Sequence, residues 1–337
     1  MAKIRNITVI GGGTGTYVVL NGIKKLENID ITAIVSSADS GGSTGILRDE
    51  FGVLPVGDFR QCLVALSPNP DEGDNILRKL FEYRFNKGGK GLEGHNFGNL
   101  FIAALTEVLG SEELAFRKVS KILNIKGKVY PVTFDHIQLV AEYEDGSISY
   151  GEKMIDEPSP SHDGTLRIKK LWVQPKAKLF AKSKEQILNS DLIILGPGDL
   201  YTSTLANIVI DDFVGVLKKS KAKILYITNL VTKYGQTHGF TSKDFISELE
   251  RYLQRDVDYI LQNNTEIPEE VLERYKGEQA YKIVDDFGED SRVIRCDLLS
   301  DTLITQTAND SVRRSLLRHS SEKIAIQIDK ILQKIYK

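Results

Sequence analysis

The apolar positions along the chain alternate between short uniform runs and segments with helical spacing. The uniform runs, rich in β-branched residues, are typical of strands buried in a sheet. Strands are predicted at residues 7–10, 31–37, 191–195, 223–228 and 259–262. Amphipathic helices are predicted at residues 16–26, 59–66, 71–85, 100–109, 111–123 and 240–254. This alternation predicts an α/β fold with a Rossmann-like, doubly wound and mostly parallel sheet.

The middle of the chain, approximately residues 127–175, has a different pattern. Apolar and polar residues alternate there with the period of half-buried strands, and Asp145-Gly146 is a hairpin turn signal. Short strands are predicted at residues 129–133, 137–143, 147–151 and 169–173. We expect a small antiparallel sheet, either as an insertion in the Rossmann-like domain or as an addition at its edge.

The C-terminal part, residues 305–337, is predicted to close the domain. Its helical periodicity from about residue 309 predicts a helix that includes Arg318 and His319. A chain of 337 residues can bury one large core or two modest ones. We expect residues 1–337 to form a single Rossmann-like domain.

A glycine-rich stretch lies between the first predicted strand and the first predicted helix. It consists of Gly11, Gly12, Gly13, Thr14 and Gly15. Glycines let a ligand approach the backbone closely, and free amides at a helix N-terminus favour an anion such as phosphate. We predict that these residues cradle a phosphate; the alternative is a turn that only packs the helix against the sheet.

This stretch departs from the usual dinucleotide-binding fingerprint. Thr16 stands where a further glycine is expected, and the second strand ends in Ser36-Ser37 instead of the acid that would hold a ribose. The nearest acid, Asp39, lies in the next loop. The departures favour nucleotide binding in a mode other than that of NAD.

Further ligand contacts are predicted in loops that follow the strands and in the C-terminal part. Gly196 and Gly198 suggest a second phosphate cradle or a plain turn. Arg60 suits bidentate phosphate binding or an internal ion pair, and Arg318 could hold a diphosphate or cap a helix end. Tyr281 could stack on a uracil or sugar face, or pack on the core. The predicted ligand-binding residues outside the first glycine-rich stretch are Asp39, Gly41, Gly42, Ser43, Arg60, Asn99, Gly196, Gly198, Ser203, Asn229, Tyr281 and Arg318.

Charge and composition exclude several classes of protein. The 44 basic and 46 acidic residues give a net charge of −2 without a basic block, so we expect no nucleic-acid partner. No apolar run approaches membrane-spanning length, and Cys62 and Cys296 cannot build a disulfide framework, which favours a cytoplasmic protein without membrane contact. The sequence lacks clustered histidines and a nucleophile-elbow motif, so we predict neither a metal site nor a catalytic residue. We interpret His95 as a residue that orders a loop.

Four motifs, at residues 11–15, 38–60, 95–100 and 196–203, occur in the order seen in the gluconeogenesis-factor (YvcK-like) proteins. The chain resembles that family from residue 4 to about 323, and the family is related in fold to 2-phospho-L-lactate transferase (CofD-like). The resemblance implies a Rossmann-like bacterial protein that binds UDP-N-acetylglucosamine. It also implies a regulator linked to growth on gluconeogenic carbon sources, cell shape and wall synthesis. No cofactor is required in that interpretation, and the candidate partners are cell-wall synthesis proteins and a second copy of the chain.

Two positions differ from the pattern of this family. Ser40 follows Asp39 where the family usually has paired aspartates, and Gln236 stands where it commonly has a glutamate. Both changes favour binding over metal-assisted transfer. The alternative is a transferase acting on a nucleotide diphosphate such as GDP, with Mg²⁺ held by Asp39, Asp58 or Asp199; an NAD(P)-dependent oxidoreductase is less favoured.

Overall fold

The computed structural model describes residues 3–69, 76–301 and 316–336. The strands in chain order are β1 (Arg5–Gly11), β2 (Ile29–Val35), β3 (Lys128–Pro131), β4 (Gln138–Tyr143), β5 (Ile148–Tyr150), β6 (Ile168–Gln174), β7 (Leu192–Leu195), β8 (Lys223–Ile227), β9 (Tyr259–Asn263) and β10 (Val293–Cys296). The helices are α1 (Gly13–Ile23), α2 (Gly42–Phe51), α3 (Gly57–Leu66), α4 (Ile76–Glu82), α5 (Gly89–Leu92), α6 (Phe97–Leu109), α7 (Glu112–Ile122), α8 (Glu152–Asp156), α9 (Ala181–Asn189), α10 (Ala206–Ile208), α11 (Phe213–Leu217), α12 (Ser242–Leu253), α13 (Glu269–Lys276) and α14 (Ser321–Ile335), with a π-helical turn at Leu200–Leu205. The start of the predicted helix at 71–85, and residues 305–315 of the predicted closing segment, lie outside the described residues.

The main sheet confirms the predicted doubly wound architecture. Seven strands lie in the order β10-β9-β8-β7-β1-β2-β3, and all of their pairings are parallel. From β1 the chain proceeds outward through β2 to β3, and from β7 it proceeds outward in the opposite direction. β1 and β7 therefore form the topological switch point, where loops diverge and a doubly wound sheet binds its ligand.

Both faces of the main sheet are covered, which explains the uniform apolar runs. In β7, Ile193 and Leu195 belong to the core on one face, while Leu192 and Ile194 belong to the core on the other. A strand enclosed in this way has no solvent-facing positions, so its sequence loses the alternation of a half-exposed strand. Cys62 lies in the second of these cores and is fully buried, as its apolar surroundings in the sequence indicate.

The predicted small antiparallel sheet is present, with strand order β5-β4-β6. Leu139 and Tyr143 of β4 share one core with Ile10 and Ile34 of the main sheet, so the small sheet packs on one face of the large one. The prediction for residues 129–133 was wrong in one respect, because β3 pairs parallel with β2 at the edge of the main sheet. An edge strand shows the same alternation whichever way its partner runs, and the sequence pattern could not separate the two cases.

Two helix starts also differ from the predictions. The helix predicted at residues 59–66 starts earlier, because α3 begins at Gly57 and Asp58 lies in its first turn. The closing helix was expected to contain Arg318 and His319, whereas α14 begins at Ser321. The Ser320 side chain accepts the Lys323 amide and so defines the start of α14, while His319 forms an antiparallel bridge with Leu299. Within the described ranges, no helix has the length and apolar character that crossing a membrane requires.

Candidate functional site at the switch point

A cleft of about 930 Å³ lies where the loops after β1, β7 and β8 meet. We call it the switch-point cleft. Its size falls within the range of small-molecule binding sites, and its position is the one expected for the ligand of a doubly wound sheet. Its lining consists of residues 12–15, 18, 156–160, 162, 197–199, 203, 229–234, 275, 278–280 and 317–319.

The first glycine-rich stretch forms one wall of the cleft. Gly12 is extended and Gly13 has a φ of +65°, so the chain turns directly from β1 into α1. The buried Thr16 hydroxyl donates to the Gly12 carbonyl at 3.1 Å, which gives this residue a structural role at the position where NAD-binding proteins have glycine. Thr14 and Gly15 line the cleft, and amides of the first helical turn have no acceptor within their helix.

The anion position at the start of α1 already holds a carboxylate from the protein. The Gly13 amide donates to Asp58 Oδ1 at 2.8 Å, across 45 residues of sequence. Asp58 thus satisfies one of the amides that the sequence assigned to a phosphate. Burial raises the pKa of Asp58 to about 7, and the neighbouring Asp39 carboxylate adds to the increase.

The loops after β1, β7 and β8 are in direct contact with one another. A Cβ atom at Gly15 would collide with the backbone carbonyl of Pro197, so only glycine permits this approach. The Asn229 side-chain amide donates from Nδ2 to the Gly198 carbonyl at 2.9 Å, which joins the loop after β8 to the loop after β7. The floor of the cleft is therefore built from three strand ends held in a fixed arrangement.

An ion-pair group connects the small sheet to this floor. The Lys233 ammonium donates to Asp199 Oδ2 at 2.7 Å and to Asp156 Oδ1, and Asp156 is the last residue of α8. Burial alone would lower the pKa of Lys233, but the two carboxylates outweigh it and the pKa is raised. Burial would likewise raise the pKa of Asp156, yet the Lys233 ammonium holds it below its usual range. Lys233 thus neutralises carboxylates that would otherwise repel an anionic ligand.

Asp39, Asp58, Glu152, Asp156 and Asp199 form what we call the acidic cluster. Burial raises the pKa of Glu152, and the charges of Asp39 and Asp156 raise it further. Burial also raises the pKa of Asp199, although Lys233 opposes the change. Because these carboxyl groups interact, a proton added to one makes ionisation of the others easier.

The opposite side of the cleft is formed by the C-terminal part of the chain. Arg318 and His319 line it together with Tyr275 and Ala280. His319 is 8% exposed, and burial lowers its pKa to about 4, so its imidazole is neutral at physiological pH. The switch-point cleft therefore combines a guanidinium with a neutral ring on this side.

The structure brings about half of the predicted ligand-binding residues together in the cleft. Those that line it are Gly12, Gly13, Thr14, Gly15, Gly198, Ser203, Asn229 and Arg318. Gly11 is the last residue of β1 and Gly196 follows β7, so both lie next to lining residues. Whether any of these residues contacts a ligand stays a prediction.

The remaining predicted residues lie outside the cleft lining. Asp39, Gly41 and Gly42 lie at the start of α2, where Asp39 Oδ1 accepts the Gly41 amide at 2.9 Å. Ser43, Arg60 and Asn99 form hydrogen bonds inside the protein: Ser43 Oγ lies 3.0 Å from His95 Nδ1, and Arg60 Nε donates to Asn99 Oδ1 at 2.8 Å. The Tyr281 ring is 44% exposed and packs edge-on against His238.

Sequence reasoning missed the residues that connect distant segments. Lys233 and His319 line the cleft but were not among the predicted contacts. Lys233 lies in the same post-strand loop as Asn229, so the strand-end signal that selected Asn229 could have selected Lys233 too. Asp156 had no local signal, because its place beside Lys233 depends on how the small sheet packs.

Comparison with known proteins identifies the family. The model of the 2-phospho-L-lactate transferase CofD family matches residues 7–304. A Thermotoga maritima protein, provisionally named as a gluconeogenesis factor, is 40% identical and covers 96% of this chain and 98% of its own length. The gluconeogenesis factor of Bacillus subtilis is 36% identical over 96% of this chain and 97% of its own. This chain belongs to the gluconeogenesis-factor family.

A solved structure has the same fold as this chain. The crystal structure of a UPF0052-family protein from Bacillus halodurans superposes with a TM-score of 0.85 and 34% identity, covering 97% of this chain and 99% of the other. Ser40 and Gln236, which we interpreted from the sequence as departures from the family pattern, both border the acidic cluster. The Ser40 backbone amide donates to Glu152 Oε2 at 3.3 Å, and Gln236 Nε2 donates to Asp156 Oδ1 at 3.0 Å. Gln236 thus places a neutral side chain beside a carboxyl group, whereas Ser40 contacts the cluster through its backbone.

Proposed function

We propose that this member of the gluconeogenesis-factor family binds UDP-N-acetylglucosamine in the switch-point cleft. It would act as a cytoplasmic regulator of cell-wall synthesis and cell shape during growth on gluconeogenic carbon sources. The observation that carries the proposal is the contact between the two glycine-rich loops on either side of the switch point, beside Arg318. Amides in such loops and a guanidinium are groups that bind a diphosphate.

The size and the charge of the cleft support a nucleotide sugar. The volume of about 930 Å³ suits a ligand larger than a mononucleotide. Lys233 offsets the charges of Asp156 and Asp199, which reduces repulsion of a diphosphate. The ligand would act by changing contacts of the protein with cell-wall synthesis proteins, and no cofactor would be needed.

The alternative is a phospholactyl-type transferase that uses Mg²⁺ and a nucleotide diphosphate donor. The position of Asp58 beside the first glycine-rich stretch favours it. However, the residues present do not fit a resident magnesium ion, because the ammonium of Lys233 occupies Asp156 and Asp199. In the described part of the chain, no three side chains of the usual ligand types are grouped to hold a metal. The ion pairs of Lys233 therefore favour ligand binding over magnesium-dependent transfer.

Calorimetric titration with UDP-N-acetylglucosamine, GDP and NAD, each with EDTA or Mg²⁺, tests the proposal. We expect UDP-N-acetylglucosamine to bind in EDTA, and more tightly than the other two. Binding that EDTA abolishes and Mg²⁺ restores would favour the transferase. Failure of UDP-N-acetylglucosamine to bind under either condition would refute the proposed ligand.

A charge variant locates the binding site. Thr14→Asp places a carboxylate in the first turn of α1, where the helix dipole favours it, so the fold should tolerate the change. It should weaken UDP-N-acetylglucosamine binding at least about tenfold, or about 1.4 kcal/mol, through repulsion of the diphosphate. Ser321→Asp adds the same charge to the first turn of α14, outside the cleft lining, and is the matched control. Equal affinities for the two variants would place the ligand elsewhere.

A further inference from the structure

One wall of the switch-point cleft contains a buried imidazole nitrogen without a hydrogen-bond partner. His319 Nε2 is inaccessible to solvent and has no partner among the described residues. The ring interacts with the Thr228 backbone, whose amide already donates to the Leu261 carbonyl. The group of Thr228 left for the ring is its carbonyl, which must accept from the other nitrogen, Nδ1–H. Because the ring is neutral, Nε2 then carries a lone pair and is an acceptor.

A second acceptor without a partner belongs to Asn229, which lines the cleft and follows Thr228 in the chain. Its Nδ2 donates to the Gly198 carbonyl at 2.9 Å. This bond fixes the orientation of the side-chain amide and leaves Oδ1 as the acceptor. Asn229 Oδ1 is buried and has no hydrogen-bond partner within the described ranges. Buried acceptors left without a donor destabilise a fold, so a group that supplies donors would be bound favourably.

The two acceptors, Asn229 Oδ1 and His319 Nε2, suit a ligand that offers two uncharged hydrogen-bond donors. The uracil ring of a nucleotide offers a single N–H donor, whereas the vicinal hydroxyl groups of a sugar offer donors on adjacent atoms. β2 ends at Val35 and is followed by Ser36-Ser37, without the acid that usually accepts ribose hydroxyls in doubly wound folds. A sugar bound in this cleft must therefore find its acceptors at another strand end, and β8 supplies them.

We propose that Asn229 Oδ1 and His319 Nε2 accept hydrogen bonds from vicinal sugar hydroxyls of the ligand. The inference rests on the proposed function and specifies which part of the nucleotide sugar these residues recognise. Ribose and the N-acetylglucosamine ring share this chemistry. The site thereby selects hydroxylated ligands by hydrogen bonding without a charged acceptor, which also avoids placing another carboxylate next to the diphosphate.

The test is a titration series with UDP-N-acetylglucosamine, its 2′-deoxyribose analogue and UDP. His319→Phe retains the ring shape and removes the acceptor, whereas His319→Gln retains an acceptor oxygen near the position of Nε2. We expect His319→Phe to weaken UDP-N-acetylglucosamine binding about tenfold or more, and His319→Gln to recover a substantial part of the loss. Thermal midpoints without ligand show whether each variant folds. Asn229→Ala is measured in the same series, so the test does not depend on a single variant.

Comparison of the three ligands identifies the source of the hydroxyls. If ribose is recognised, the variants lose less affinity for the 2′-deoxy analogue than for UDP-N-acetylglucosamine. If the N-acetylglucosamine ring is recognised, they lose less affinity for UDP. If the variants lose affinity for all three ligands by the same factor, or if folded variants bind normally, the inference is overturned. Nucleotide-sugar binding by the wild-type protein would remain intact in both cases. Failure of the wild-type protein to bind UDP-N-acetylglucosamine would instead refute the proposed function, and the inference with it.

Discussion

The carboxyl group of Asp58 offers the sharpest test of the electrostatics at the switch point. Burial and the neighbouring Asp39 charge raise its pKa to about 7, although the Gly13 amide, which it accepts at 2.8 Å, opposes the increase. Asp58→Asn removes the charge and keeps an oxygen that can accept the same amide. The variant therefore separates two contributions to the free energy of unfolding. It removes the contribution of the negative charge and keeps that of the hydrogen bond.

The magnitude follows from the pKa difference. Relative to the ordinary pKa of 3.8, a folded-state pKa of about 7 means that the folded protein binds the proton more tightly than the unfolded chain. Stability therefore falls as pH rises from about 4 to about 7, by about 4 kcal/mol in all. Of this, about 3 kcal/mol develops between pH 5 and pH 8. With an unfolding entropy of about 2.1 cal/mol/K per residue, the difference corresponds to about 4 °C in the thermal midpoint.

Differential scanning calorimetry of the ligand-free protein at pH 5 and pH 8 measures the effect. The thermal midpoint of Asp58→Asn minus that of wild type should be about 4 °C higher at pH 8 than at pH 5. Asp145→Asn is the control without a pH dependence in this range, because hydrogen bonds from the Ser147 hydroxyl and amide lower the pKa of the exposed Asp145 and keep it ionised at both pH values. The difference in thermal midpoint between that variant and wild type should be the same at pH 5 and pH 8. If the Asp58 variant shows the same midpoint difference at both pH values, the carboxyl group titrates normally and the reasoning fails.

Two further variants test the contacts that build the floor of the cleft. Lys233→Met should destabilise the protein at pH 8 by about 2 kcal/mol, since Asp156 and Asp199 lose their counter-charge while about a third of each side chain stays exposed. Adding Asp156→Asn should restore part of this loss in urea denaturation, and a further loss would contradict the ion-pair account. Gly15→Ala should lower stability by about 1–3 kcal/mol, because its Cβ would meet rigid backbone of the loop after β7. Gly215→Ala in α11, where a Cβ meets no atom within 4 Å, should be neutral or stabilising, and equal losses for the two alanine variants would refute the close-approach argument.

The sequence by itself determined the doubly wound architecture and the general position of the site. Uniform apolar runs indicate strands that are buried on both faces, and this property is local to each run. The glycines at 11–13 and at 196 and 198 mark tight turns after β1 and β7, and Asn229 marks the end of β8. Because carboxyl ends of parallel strands meet at one edge of a sheet, these local signals were sufficient to predict residues that line one cleft.

Only the tertiary structure decided what each polar group does. Asp58 directly precedes the helix predicted at residues 59–66, yet its side chain accepts the amide of Gly13, because the packing of α3 beside α1 brings them together. Asp156 reaches Lys233 only because the small sheet packs on the face of the large one. Ser43 and Asn99, which are predicted ligand contacts, form hydrogen bonds with His95 and Arg60 that the sequence did not indicate. A hydrogen bond or an ion pair depends on distances of a few ångströms between groups far apart in the chain, and a periodic pattern of apolar residues carries no information about those distances.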